Sequence, residues 1–103
     1  MYNNTNLSTF GQSFKQLKKN FDMKFFIHFY HHNANSEPFL HIDGYIENLS
    51  IERVDEHGFA INILTHETIL VFTEQNYFSN ISGESVVFSS KHDDGTHCII
   101  EFG

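Results

Sequence analysis

Residues 39–51 read Phe-Leu-His-Ile-Asp-Gly-Tyr-Ile-Glu-Asn-Leu-Ser-Ile. Leu40, Ile42 and Ile46 alternate with polar neighbours, the two-residue period of a strand with one buried face. Gly44 falls on the buried side, where a missing side chain permits a sharp bend or close packing. A long strand bent at a glycine is a feature of small barrels. The stretch before it, residues 24–32, alternates as well. Phe25, Ile27 and Phe29 share one face, and Phe26, His28, Tyr30 and His32 share the other. Residues 33–38 read as the loop between these two strands.

The rest of the chain repeats the pattern in shorter pieces. Strands are expected at 59–64, 68–72, 86–89 and 96–102, with turns at Asp55–Gly58 and at Thr65-His66-Glu67. Residues 73–80 read as a turn or short helical connection. Asp94-Gly95 is a hairpin signal ahead of the sixth strand. The N-terminal part differs. Phe10, Phe14, Leu17 and Phe21 recur at helical spacing, with Gln12, Lys15, Lys18 and Lys19 off the stripe. Ser8 or Thr9 is the expected N-cap. The expected organisation is a single domain over 1–103: a frayed 1–7, a helix over 8–20, and strands over 24–102. Its fold class is mainly β, an N-terminal α-helix on a small bent antiparallel barrel of five or six strands.

Composition narrows the function. The chain has 103 residues, of which 40% are hydrophobic and 12 are Phe, so a packed core is within reach and wholesale disorder is excluded. No apolar run approaches the roughly 18 residues of a membrane span. The opening residues lack a signal-peptide pattern, and the single cysteine, Cys98, excludes an internal disulfide framework. A cytoplasmic protein without membrane partners is expected. Charge is unevenly placed. Residues 1–24 carry four lysines against Asp22, and residues 25–103 carry Arg53 and Lys91 against twelve acidic residues. A basic segment thus precedes an acidic body that repels a phosphate backbone.

Several sites are candidates for chemistry. If the first two strands form a hairpin closed at 33–38, His32 opposes Phe39, Tyr30 opposes His41, and His28 opposes Asp43. Cross-strand neighbours lie about 5 Å apart. His28, His41 and Asp43 are then candidate ligands for a divalent metal, since imidazole and carboxylate suit zinc or iron. A hydrogen-bonded polar face is the plainer reading, and no cofactor is expected. Nucleophilic catalysis finds no arrangement to support it. His97 and Cys98 are adjacent on a strand and point to opposite faces, so His97 is no base for a buried Cys98. No phosphate loop, dinucleotide fingerprint or calcium loop is present, and no enzyme is expected. Aromatic side chains on the outer face of the first two strands, Phe26, Tyr30, Phe39 and Tyr45, are candidate contacts for a partner, unless the helix covers them. The runs Ile69–Phe72 and Val86–Phe88 are apolar on both faces. Ile69, Val71 and Val87 are therefore candidate contacts too, either covered within the chain or paired against a neighbour.

The order of elements resembles the Sm-like fold, in particular the Hfq family. Phe14-Lys-Gln-Leu-Lys-Lys19 is similar to the end of the Hfq helix, Phe25–Phe29 to strand one, and Leu40–Glu47 to the glycine-bearing strand two. Phe59–Ile63, Ile69–Phe72 and Ile81–Phe88 stand for the remaining strands, over about residues 12–90. This resemblance implies an RNA-binding ring, with Lys15, Lys18, Lys19 and Lys24 as its basic contact here. The family's Tyr-Lys-His between the last two strands is replaced by Val71–Asn76, without Lys or His, so its pore residues are not carried over. In such rings, neighbouring subunits pair through the last strand's edge. A sixth strand on that edge blocks the ring. The acidic body is more similar to the Rho-inhibitor family, Rof, small Sm-like proteins that act by binding another protein. Phe78–Val87 resembles the Rof segment entering its last strand. The leading expectation is a non-enzymatic binding module that acts through protein contacts, with itself or with a partner. An RNA-binding ring and a histidine–carboxylate metal protein are the alternatives.

Overall fold

The computed structural model of the protein describes residues 9–31, 37–54, 56, 58–92 and 95–103. Among the described residues one helix, α1 (Thr9–Lys19), precedes eight strand segments. These are β1 (Phe25–Tyr30), β2 (Leu40–Gly44), β3 (Ile46–Arg53), β4 (Phe59–Thr65), β5 (Ile69–Thr73), β6 (Tyr77–Ser82), β7 (Ser85–Ser90) and β8 (His97–Phe102). The expected fraying at 1–7, the N-cap at Ser8, His32 and Asp94 lie outside the described residues. The chain is mainly β, in two antiparallel sheets. One runs β2-β1-β8-β7-β6, the other β3-β4-β5. Each ladder joins consecutive strands, and the last strand returns to the first.

Two corners carry the chain from one sheet to the other. The long strand expected over 39–51 breaks at Gly44-Tyr45 into β2 and β3. Gly44 takes a φ of 147°, which L side chains rarely adopt. A Cβ there would also lie 3.4 Å from the His66 ring. The second corner is Glu74–Asn76. The connection expected over 73–80 is confined to those three residues, and Tyr77–Ser82 is a strand paired with β7 along its length. Its polar sequence hides it. Ser79 is buried because it faces α1, where its hydroxyl and that of Ser13, also buried, form a hydrogen bond.

The helical stripe is buried as its spacing requires. Phe10 and Leu17 are fully buried, with Phe14 and Phe21 packed beside them. The packing is centred on β6, with further contacts to β3, β4 and β7. The stripe is therefore covered there, away from the outer aromatics of β1 and β2. The helix winds down through 3₁₀-type bonds, Asn20 N–H to the Leu17 carbonyl and Phe21 N–H to that of Lys18, both at 3.2 Å. The Asn20 side chain donates to the Gln16 carbonyl at 3.0 Å. Lys18 and Lys19 in the last turn complement the helix dipole.

The centre of the core is a run of three rings. Phe72 of β5 stacks on Phe88 of β7 at 4.1 Å between centroids, and Phe10 of α1 meets Phe88 edge-on at 5.6 Å. Ile27, Ile61, Ile63, Val86 and Ile100 fill the space around them. The sixth strand expected from the sequence is β8. It pairs with β7 on one side and β1 on the other, so the edge of β7 is occupied within the chain.

Candidate functional site

Among the described residues β5 is an edge strand, paired with β4 and no other strand. The phase of the ladder is fixed by its ends. Glu74 N–H donates to the Phe59 carbonyl at 2.8 Å, and Thr65 N–H donates to the Thr68 carbonyl at 2.8 Å. In an antiparallel ladder the residues bonded to the partner alternate with those facing away. Thr68, Leu70, Phe72 and Glu74 therefore turn their backbone groups to β4. Ile69, Val71 and Thr73 turn theirs to the open side. Of these, Ile69 and Val71 point their side chains away from the core, whereas Thr73 keeps its hydroxyl buried. Ile69 is 63% exposed and Val71 51%.

Beyond the N-terminal end of β5 lies an opening of about 420 Å³. It is lined by Leu40, His41, Ile42 and Asp43 of β2 and by Glu67 and Thr68 of the β4–β5 turn. β2 is itself an edge strand, so the opening is where neither sheet continues. Its turn is held firmly. Thr65 Oγ1 accepts hydrogen bonds from the N–H groups of Glu67 at 3.2 Å and Thr68 at 3.1 Å. The carboxylates on its rim have histidine neighbours. His41 Nε2 is 3.3 Å from Asp43 Oδ2, and His66 Nε2 is 3.6 Å from Glu67 Oε1. Among the described residues neither carboxylate is paired with a Lys or Arg.

Protein-family models, curated proteins and solved structures give no match to this chain.

The histidine cluster forms, with different pairings. The register places His41 opposite His28, Asp43 opposite Phe26 and Leu40 opposite Phe29, a displacement of two residues from the expected hairpin. A two-residue shift preserves the face, so His28, His41 and Asp43 remain side by side. His28 Nδ1 and His41 Nδ1 are 3.2 Å apart. Glu101 of β8, which the sequence did not single out, stands 3.8 Å from His28 Nε2. The order is a line: Glu101, His28, His41, Asp43. His41 turns one ring nitrogen to His28 and the other to Asp43, so the three expected ligands do not face one point. Among the described residues no group of three or more such side chains is placed to hold a metal ion.

The expected partner contacts separate into groups. Phe26, Tyr30 and Val87 lie half-buried on the outer face of the five-stranded sheet. Phe39 leads into β2 and stacks on His31 at 4.2 Å, and Tyr45 stands exposed at the first corner. Ile69 and Val71 lie on the other sheet, on β5. Three of the four candidate lysines, Lys15, Lys18 and Lys19, lie on α1, and Lys24 lies just before β1. Lys15 and Lys18 are exposed, Lys19 is 3.9 Å from Glu84, and Lys24 lies over the Phe26 ring at 5.5 Å. Cys98 is buried in the core, and its thiol pKa is pushed up by loss of solvation. His97 points to the other face, 3.1 Å from the Ser89 hydroxyl. Leu40, Ile42, Glu67 and Thr68 line the opening without having been singled out. The alternation of residues 39–46 puts Leu40 and Ile42 on an inward face; nothing in it marks the end of that sheet.

Proposed function

We propose that this chain is a binding module that acts through protein contacts, and that a partner's extended segment adds to the sheet along β5. The open edge of β5 carries this reading. An edge strand offers unpaired N–H and C=O groups to any extended chain, and folded proteins usually blunt it with Lys, Pro or a bulge. Residues 69–73 read Ile-Leu-Val-Phe-Thr and contain neither Lys nor Pro, and the β4–β5 register is unbroken. Strand addition satisfies the backbone groups of Ile69 and Val71 and covers their side chains. Covering two aliphatic side chains this exposed contributes about 2–4 kcal/mol before the cost of ordering the partner. That is the scale of a weak, reversible contact.

Ring assembly of the Sm-like kind would use the edge of β7; β8 pairs along that edge here, which favours a contact at β5 over a ring. The test uses ¹⁵N-labelled protein titrated with a neutral extended peptide, acetyl-Gln-Val-Thr-Val-Thr-Gln-amide, followed by NMR. The expected result is shifts centred on the amides of Ile69, Val71 and Thr73, lost in Val71→Pro, which removes one outward N–H. Shifts scattered elsewhere, or undiminished in Val71→Pro, refute the reading. Light scattering runs alongside, with absorbance at 260 and 280 nm. A closed ring carrying nucleic acid would instead favour the RNA-binding alternative.

A further inference from the structure

We infer that the segment added at β5 carries a Lys or Arg that reaches past the strand's N-terminal end into the opening between the sheets. This rests on the strand-addition reading and names the chemistry of the partner. Glu67 and Thr68 are the two residues immediately before Ile69, and both line the opening. An extended chain following β5 past Ile69 therefore arrives there, advancing about 3.3 Å per residue. The opening suits a long cationic side chain. Leu40 and Ile42 offer apolar surface to its methylenes, and Asp43 and Glu67 offer carboxylates to its head. Among the described residues each carboxylate has a histidine neighbour and neither is paired with Lys or Arg, so a cation displaces neither of those. The volume, about 420 Å³, exceeds what one such side chain fills, which leaves room for its hydration.

A second copy of the chain is the competing occupant, and charge decides against it. The segment from Glu67 to Glu74 has an acidic residue at each end and no Lys or Arg. Antiparallel pairing of two β5 strands sets the Glu67 end of one copy against the Glu74 end of the other, twice. It also joins two bodies of formal charge −7. A basic-flanked segment reverses both terms, as charge complementarity across an interface requires.

The experiment compares three peptides of one apolar pattern, flanked by Lys, Gln or Glu, on the full chain by the same NMR titration. At low ionic strength the Lys-flanked peptide is expected to bind about threefold to tenfold tighter than the Gln-flanked one, and the Glu-flanked peptide weakest. The preference should shrink as salt is raised. The paired substitution Asp43→Asn with Glu67→Gln should abolish it and leave the Gln-flanked affinity unchanged. Equal binding of all three peptides, with shifts still at Ile69 and Val71, overturns the charge inference and leaves strand addition standing. A preference that survives the paired substitution overturns the placement in the opening. Failure of every peptide to reach β5 removes strand addition, and this inference with it. Concentration-dependent dimerisation that is lost in Val71→Lys assigns β5 to a second copy and overturns the basic partner.

Discussion

Ser13 and Ser79 join the helix to the sheet through a buried hydroxyl pair, and deleting half of that pair gives a sharp expectation. Ser13 is fully buried and Ser79 is 2% exposed, so no solvent reaches a hydroxyl left alone. In Ser79→Ala the Ser13 hydroxyl keeps no partner at that contact. A buried polar group abandoned in this way costs about 1–3 kcal/mol. For a domain of this size, each kcal/mol lowers the melting temperature by about 4–8 °C. Ser13→Ala leaves Ser79 stranded in the same way, with a slightly smaller loss because Ala favours the helix. The double variant removes both groups and should melt close to the parent, within about 1 kcal/mol. Urea unfolding followed by circular dichroism gives all four corners of the cycle, and the two singles should sum to far more than the double. A double variant as unstable as the two singles added together would refute the reasoning, because it would mean that the hydroxyls do not depend on one another.

Other side chains carry expectations of the same kind. Gly58 has a φ of 105°, and a Cβ there would lie 2.1 Å from Glu74 Oε1, which accepts the Phe59 N–H at 3.0 Å. Gly58→Ala should therefore cost about 1–3 kcal/mol in urea unfolding, and adding Glu74→Ala should not restore stability, because the backbone strain remains. Thr73 Oγ1 is buried and, among the described residues, has no hydrogen-bond partner. Thr73→Val, of similar shape, should raise stability by about 1 kcal/mol, read as a higher urea midpoint. The raised pKa of Cys98 keeps its proton on in the folded chain at pH values where the unfolded chain has lost it. Stability from this group is complete below the unfolded thiol pKa, near 8.5, and falls above it by about 1.4 kcal/mol per pH unit. Parent and Cys98→Ala should diverge in slope across alkaline pH, and folded protein should resist a thiol reagent until unfolded. Phe88→Ala removes the ring shared by Phe72 and Phe10 and should cost about 3–5 kcal/mol by the same unfolding assay.

Periodicity made some of this molecule legible. Phe10, Phe14, Leu17 and Phe21 repeat at helical spacing, and a stripe that regular has one way to be buried. The bend at Gly44 was readable for a similar reason, since a glycine on the buried side of a long alternating strand leaves space that the His66 ring approaches. β6 was not, because its buried position is a serine whose partner is another serine on a distant helix, and alternation cannot express that. The histidine face was half legible. Parity placed His28, His41 and Asp43 together, but the partner across the ladder depends on where the 31–39 connection lets the strands meet. Glu101 joins that face through β8, from the far end of the sequence. The edge of β5 was read only as a run apolar on both faces. Which face the core takes, and which edge stays unpaired, follow from the three-dimensional course of the two corners.

The return of β8 to β1 also has a consequence for how the chain folds. Phe25 pairs with Phe102, and Tyr30 with His97. β1 and β8 are far apart in sequence, so β1 waits for this neighbour while local hairpins form. Until β8 pairs, the inner faces of β1 and β7, with Phe25, Ile27, Val86 and Phe88, lack their shared third wall. Closing so long a loop before its contacts form makes the final step slow relative to local pairing. A folding chain in which β8 has not yet paired therefore leaves the edges of β1 and β7 open at once to the wrong neighbour.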